Sequence, residues 1–126
     1  MQRLVINMQN FVFGEAIERA LQAEGSFIVT TVEKPADVAK ECRLTAATAL
    51  LMEVTGYTPW LLKERLIIRD QVKGEDPDIK IVLLVDENSE KNTAKEVKQA
   101  KRDGLIDQFI YGSTSASFLA ALMDTL

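Results

Sequence analysis

The side chains able to do chemistry are few, and most offer oxygen. The chain has no histidine, which removes the imidazole general base, phosphohistidine and histidine metal ligation together. Acid–base or metal chemistry therefore falls to carboxylates. The most suggestive is Glu53, which interrupts the apolar run Ala47–Val54 one residue before its end and so stands at a strand's carboxyl end. The amide-rich stretch Asn7, Gln9 and Asn10 follows another apolar run and reads either as turn and cap or as a polar lining for a ligand. Asp86, Glu87 and Ser89 follow a third and read as capping oxygens for orphan N–H groups at a helix start. Gly112 and the hydroxyls of "YGSTSAS", Ser113 among them, could cradle an anion on backbone N–H groups. Their spacing matches neither the phosphate loop nor the dinucleotide fingerprint, so ordinary capping of the last helix is the expectation. Cys42 has a basic neighbour in Arg43 that would lower its pKa, but no base to pair with, and is expected to pack. Trp60 covers a core edge or anchors a partner.

The elements that must position these residues alternate. Short apolar runs at Arg3–Asn7, Ser26–Val32, Ala47–Val54, Ile79–Asp86 and Leu105–Tyr111 predict strands. Between them lie helical patterns: Phe13, Ile17, Ala20 and Leu21 share one face, with Gly25 as the stop. Pro35 opens a short second helix and Pro59 a third, "PWLLKERLIIRDQV", broken by "GEDPD". A polar fourth helix carries a thin inner stripe of Ala94, Val97 and Ala100 and ends at Gly104, its lysines forming a solvated face or, alternatively, a docking face. The last helix places Phe118, Leu119, Leu122 and Leu126 near one face. Strict alternation with short loops predicts a single α/β domain over 1–126. Its expected form is a three-layer, doubly wound, five-stranded parallel sheet of order 2-1-3-4-5, flavodoxin-like, with its crevice at the strands' carboxyl ends.

Composition bounds the function classes. A chain of 126 residues buries roughly two-thirds of its unfolded surface and needs no disulfide staple. The lone cysteine and a Met1 that runs straight into a strand predict a reducing, cytoplasmic setting. No apolar run approaches the ~20 residues of a membrane span. The net charge of −4 offers no basic footprint for a phosphate backbone, so nucleic-acid binding by this chain alone is not expected.

In element order, and through "RLVIN", "ALLMEV", "DIKIVLLVD" and "AKRDGLIDQFIY", the chain resembles the receiver domain of two-component response regulators over its full length. That resemblance implies a phosphoacceptor aspartate after the third strand, an acidic pair after the first, a hydroxyl residue after the fourth and a lysine after the fifth, gathered around Mg²⁺. The matching positions depart from the pattern throughout. Asn7 and Met8 stand for the acidic pair, and no Asp or Glu precedes Glu15. Glu53 stands for the phosphoacceptor, and reads as an ordinary solvated acid, a standing mimic of the phosphorylated state or a participant in binding; Val85 stands for the hydroxyl residue and Tyr111 for the lysine. Neither a thioether nor an amide replaces a carboxylate for a hard cation, and Glu53 alone lacks a charge to neutralise a phosphoryl-transfer transition state.

The expectation is a degenerate, non-phosphorylatable pseudo-receiver: not an enzyme, without catalytic residues, metal or cofactor. By resemblance it would act through a protein partner (kinase, output domain or regulator) or as a self-paired dimer. The alternative from another class is a small-molecule or anion sensor with Asn7, Gln9, Asn10, Glu53 and Ser113 lining the crevice.

Overall fold

The computed structural model describes all 126 residues. Its elements are β1 (Gln2–Asn7), α1 (Phe11–Glu24), β2 (Phe27–Thr31), a 3-10 turn (Pro35–Asp37), α2 (Val38–Thr45), β3 (Ala49–Val54), α3 (Leu62–Glu75), β4 (Lys80–Val85), α4 (Lys91–Arg102), β5 (Gln108–Tyr111) and α5 (Ala116–Asp124). All neighbouring strands pair in parallel, in the order β2-β1-β3-β4-β5.

Side-chain alternation along the strands builds two cores. Val5, Leu50, Met52, Val54, Ile81, Leu83 and Val85 face Val38 and Cys42 of α2, Ile68 and Val72 of α3, and Ala94, Val97 and Ala100 of α4. Leu4, Ile6, Ala49, Leu51, Val82 and Leu84 face Ile17 and Leu21 of α1 and Leu119, Ala120 and Met123 of α5. β3 is buried along its whole length, which is why its sequence is an unbroken apolar run. The same period of two sends Asn7 to the face of Val5, and Glu53 to the face of Leu51. The two residues at the heart of the sequence argument therefore leave the sheet on opposite sides.

Three local expectations are corrected. Pro59 does not open α3: Thr58–Pro59 is a cis peptide in a loop tied by Thr55 N–H to Trp60 O and Trp60 N–H to Tyr57 O. α3 starts at Leu62 instead, with Glu64 Oε1 accepting from Leu61 N–H. Phe118 is 63% exposed, because Ser115 caps α5 in a phase that turns Leu119, Ala120 and Met123 inward. β5 is shorter than the apolar run suggests. Asp107 joins β4 through its own N–H to Ile81 O at 2.9 Å and through its carboxylate, which takes the Ile81 N–H at 2.7 Å, and regular strand pairing runs from Gln108. Gly25, by contrast, ends α1 as read, at φ 74°.

Cys42 packs as expected, and burial in the core beside α3 pushes its thiol up from 9.0 to about 12, with Glu41 and Glu75 adding to the effect. The unfolded chain loses that proton near pH 9, whereas the folded chain keeps it until about pH 12. Its contribution to stability is therefore complete below pH 9 and is lost as pH rises towards 12. Between pH 8 and 10, urea unfolding should show the native protein losing about 1 kcal/mol more than Cys42→Ala. Parallel pH profiles for the two proteins would show that the thiol is not protected.

Candidate functional site

The carboxyl ends of β1 and β3 converge on a buried arginine. Arg65 lies on α3 and is 0% exposed. Its Nε donates to Glu53 O at 2.8 Å, one terminal nitrogen to Asn7 Oδ1 at 2.6 Å, and the other to Asn7 O at 3.2 Å. The Trp60 ring closes the far side, 4.6 Å from the guanidinium carbon to the ring centroid. Burial pulls this guanidinium down from 12.5 to about 10, opposed by the charges of Glu53 and Glu64, so it is a cation at neutral pH. Asn7 spends its amide on the same structure, with Nδ2 donating to Val32 O at 2.7 Å and Glu33 O at 3.2 Å. A buried charge costs several kcal/mol to desolvate and persists only when hydrogen-bonded. Oxygens from two strand ends and an aromatic face meet that requirement here.

The other side of the same strand ends forms a crevice of about 210 Å³, lined by Gln9, Asn10, Glu53, Val54, Thr55, Tyr57, Asp86, Ser89 and Glu90. Glu53 is 8% exposed, and its Oε1 accepts from Asn10 N–H at 2.8 Å. Asn10 in turn caps α1, its Oδ1 accepting from Phe13 N–H at 3.0 Å. Asp86 Oδ1 accepts from Asn88 N–H at 2.9 Å and Ser89 N–H at 3.3 Å, and these donors hold its carboxyl below the ordinary range. Glu90 reaches over the β3–α3 loop at Gly56, where a Cβ would lie 2.8 Å from its Oε2.

Of the residues read from sequence as a ligand lining, Gln9, Asn10 and Glu53 line this crevice and Asn7 and Ser113 do not; Asp86 and Ser89, read as caps, line it as well. Asn7 points to the opposite face, into the Arg65 network. Met8 is buried under α1, where its Cβ lies 3.3 Å from the place a Cβ on Gly14 would occupy. Val85 is core, and Asp86, the next residue, is what the end of β4 offers to the crevice. Tyr111 stacks edge-on against Phe109 at 5.5 Å, beside α4. Ser113 is exposed outside the crevice, the Gly112 N–H is taken by Val85 O, and Ser115 caps α5 as ordinary helix capping requires. Of the trio read as caps, Asp86 fixes the turn before α4, while both carboxylate oxygens of Glu87 are buried without partners.

The decisive residue missed in the sequence is Arg65. Its signal was present: with Ile68 and Val72 it forms the buried stripe of α3, so an arginine stands within an otherwise apolar helical spacing. Arg65→Met should lower the unfolding free energy by about 2–4 kcal/mol, because three oxygens lose their donors inside the protein. Arg65→Lys should recover only a minor part, an ammonium being unable to reproduce the fork. A loss below ~0.5 kcal/mol for Arg65→Met in urea unfolding would contradict this geometry.

No protein-family model matches the sequence, and no curated protein sequence matches it. Solved structures do match. HP1043, an orphan response regulator of H. pylori, aligns with a TM-score of 0.76 at 19% identity, over 98% of this chain and 94% of that one. The inactive form of the regulatory domain of RitR, the repressor of iron transport regulator, gives 0.80 at 15% identity, over 99% and 94%. TrrA from Thermotoga maritima, in complex with Mg²⁺–BeF, gives 0.74 at 14% identity, over 99% and 98%. With its sheet order and its five helices in the same two layers, the chain has the receiver fold of response regulators.

Proposed function

We propose that this chain is a receiver-like signalling domain in a two-component-type system that carries out no phosphotransfer and works by contact with a protein partner. The observation that carries this reading is where the oxygens at the strand ends are committed. Asn7 Oδ1 and the Glu53 carbonyl are held by Arg65, and Glu53 Oε1 by Asn10 N–H. Met8 is under α1.

That donor set does not fit a divalent cation. A hard ion needs several oxygens converging at about 2.0–2.6 Å, and no group of three or more His, Cys, Asp or Glu side chains is placed to hold one. The crevice carboxylates are spread out, Asp86 bent to its own turn and Glu90 laid over Gly56. Positive charge reaches the strand ends through a covalently tethered guanidinium instead. It lies behind the sheet edge and contacts the main chain of Glu53 rather than its carboxylate. A phosphoryl group delivered to Glu53 would meet Asp86 and Glu90, with no lysine or arginine in the lining. The same charges oppose an anion ligand in the crevice.

The chain should remain at its unmodified mass after incubation with Mg²⁺ and acetyl phosphate, read by intact mass spectrometry. A stoichiometric phosphoryl adduct would overturn this reading.

A further inference from the structure

One pair of buried acceptors has no answer within the chain. Glu87 stands in the turn between β4 and α4, and both its carboxylate oxygens are buried without a donor. No other side chain of the protein holds buried nitrogen or oxygen atoms in that state. Buried polar atoms are hydrogen-bonded in the great majority of cases, and leaving a charged one unmet is costly. Glu87 belongs to the lining of a groove of about 390 Å³ that it shares with Lys91, Ala94, Lys95, Lys98 and Tyr111.

The cations of this groove are unmet as well. Lys91, Lys95 and Lys98 stand at i, i+4 and i+7 of α4, so they share one helix face and span about 10 Å along its axis. The ion pairs of the chain are Arg43–Glu75, Arg69–Asp70 and Lys73–Asp107. None of them involves Glu87 or these lysines.

The occupant must therefore bring two donors to the carboxylate and negative charge to the lysines. A carboxylate accepts and does not donate, and its two oxygens together suit a fork of parallel N–H groups. A guanidinium has that fork, but it is a cation and would enter beside three lysines. Guanine offers the fork without charge, from N1–H and the N2 amino group on its Watson–Crick edge. Adenine puts a bare acceptor nitrogen where N1–H is needed, and hypoxanthine keeps N1–H but lacks the amino group. Phosphates on the same molecule answer the lysines. Tyr111, 37% exposed in the lining, supplies an aromatic face for the base. The groove has the volume of a small-molecule site, roughly 300–1,000 Å³, and the net charge of −4 on the chain disfavours a long polyanion over a free nucleotide.

We propose that the groove between the β4–α4 turn, α4 and the end of β5 binds a free guanine nucleotide. Glu87 reads the base edge, Lys91, Lys95 and Lys98 hold the phosphates, and Tyr111 stacks on the ring. Lysine side chains are flexible, so side-chain rotation uncovers the carboxylate as the base enters. This site is separate from the crevice at Glu53 and goes beyond the contact-only reading of the domain; a phosphoryl adduct would overturn that reading and leave the nucleotide site standing.

The test is isothermal titration calorimetry of the full chain with GDP, IDP, ADP and pyrophosphate in magnesium-free buffer, with amide shifts of the ¹⁵N-labelled chain locating the bound molecule. GDP should bind saturably and move the amides of Glu87, Lys91 and Tyr111. IDP and ADP should bind at least tenfold more weakly, because each leaves a carboxylate oxygen unmet. Glu87→Gln and Glu87→Ala should both remove the preference for GDP over ADP while pyrophosphate binding persists, and Lys95→Ala should weaken GDP and pyrophosphate alike. The proposal is overturned if GDP gives no saturable binding, as when Lys91 simply turns onto Glu87, or if its shifts fall elsewhere on the surface. It is equally overturned if pyrophosphate or ADP binds as tightly as GDP, if the Glu87 variants keep the preference, or if the single-stranded RNA UUGUU binds more tightly than GDP.

Discussion

A positive charge sealed among neutral oxygens is the constraint on which the carboxyl edge of this sheet depends. The Arg65 guanidinium reaches from α3 to the ends of both β1 and β3, and Trp60 caps it from the following loop. Desolvating such a group is tolerable only when its donors find acceptors of good geometry, which requires the two strand ends, the first turns of α3 and the Thr55–Leu61 loop to hold fixed relative positions. That loop is further pinned by Thr58 Oγ1 donating to Glu64 Oε2 at 2.6 Å and by the Thr55–Trp60 backbone pair. A side chain that bonds the backbone of two strands acts as a tether rather than as an exchangeable ligand.

The period of two along a strand separates the two jobs done at this edge. Asn7 turns towards α2 and α3 and is absorbed by the tether, whereas Glu53 turns towards α1 and takes the N–H of Asn10. Neighbours at the edge of one sheet thus serve a sealed polar core on one side and an acidic, solvent-facing crevice on the other. The rigidity of the first fixes where the carboxylates of the second stand.

The strands were legible because burial on both faces leaves apolar runs that nothing else in a short α/β chain explains, as in "ALLMEV" and "KIVLLV". The loss of the acidic pair was legible because no register shift brings Asp or Glu ahead of Glu15. Phe118 misled because an exposed aromatic beside a buried leucine fits two helix phases, and the Ser115 cap selects between them. Val85 ends β4 as read, but its side chain turns into the core, so Asp86 is the residue that the end of β4 gives to the crevice. Arg65 was invisible to charge patterning, since a lysine- and arginine-rich helix ordinarily displays its charges to water. Only tertiary packing over Asn7 and Trp60 makes one of them internal.

The tether itself can be observed directly in the ¹⁵N–¹H spectrum of the Arg65 side chain at neutral pH, with and without MgCl₂. A buried, triply bonded guanidinium against an indole face should give a sharp Arg65 Nε–H resonance, protected from solvent exchange, shifted by the Trp60 ring and unchanged by the metal. An Arg65 Nε–H that exchanges as fast as those of surface arginines, or that is released when Mg²⁺ is added, would contradict the fixed internal cation.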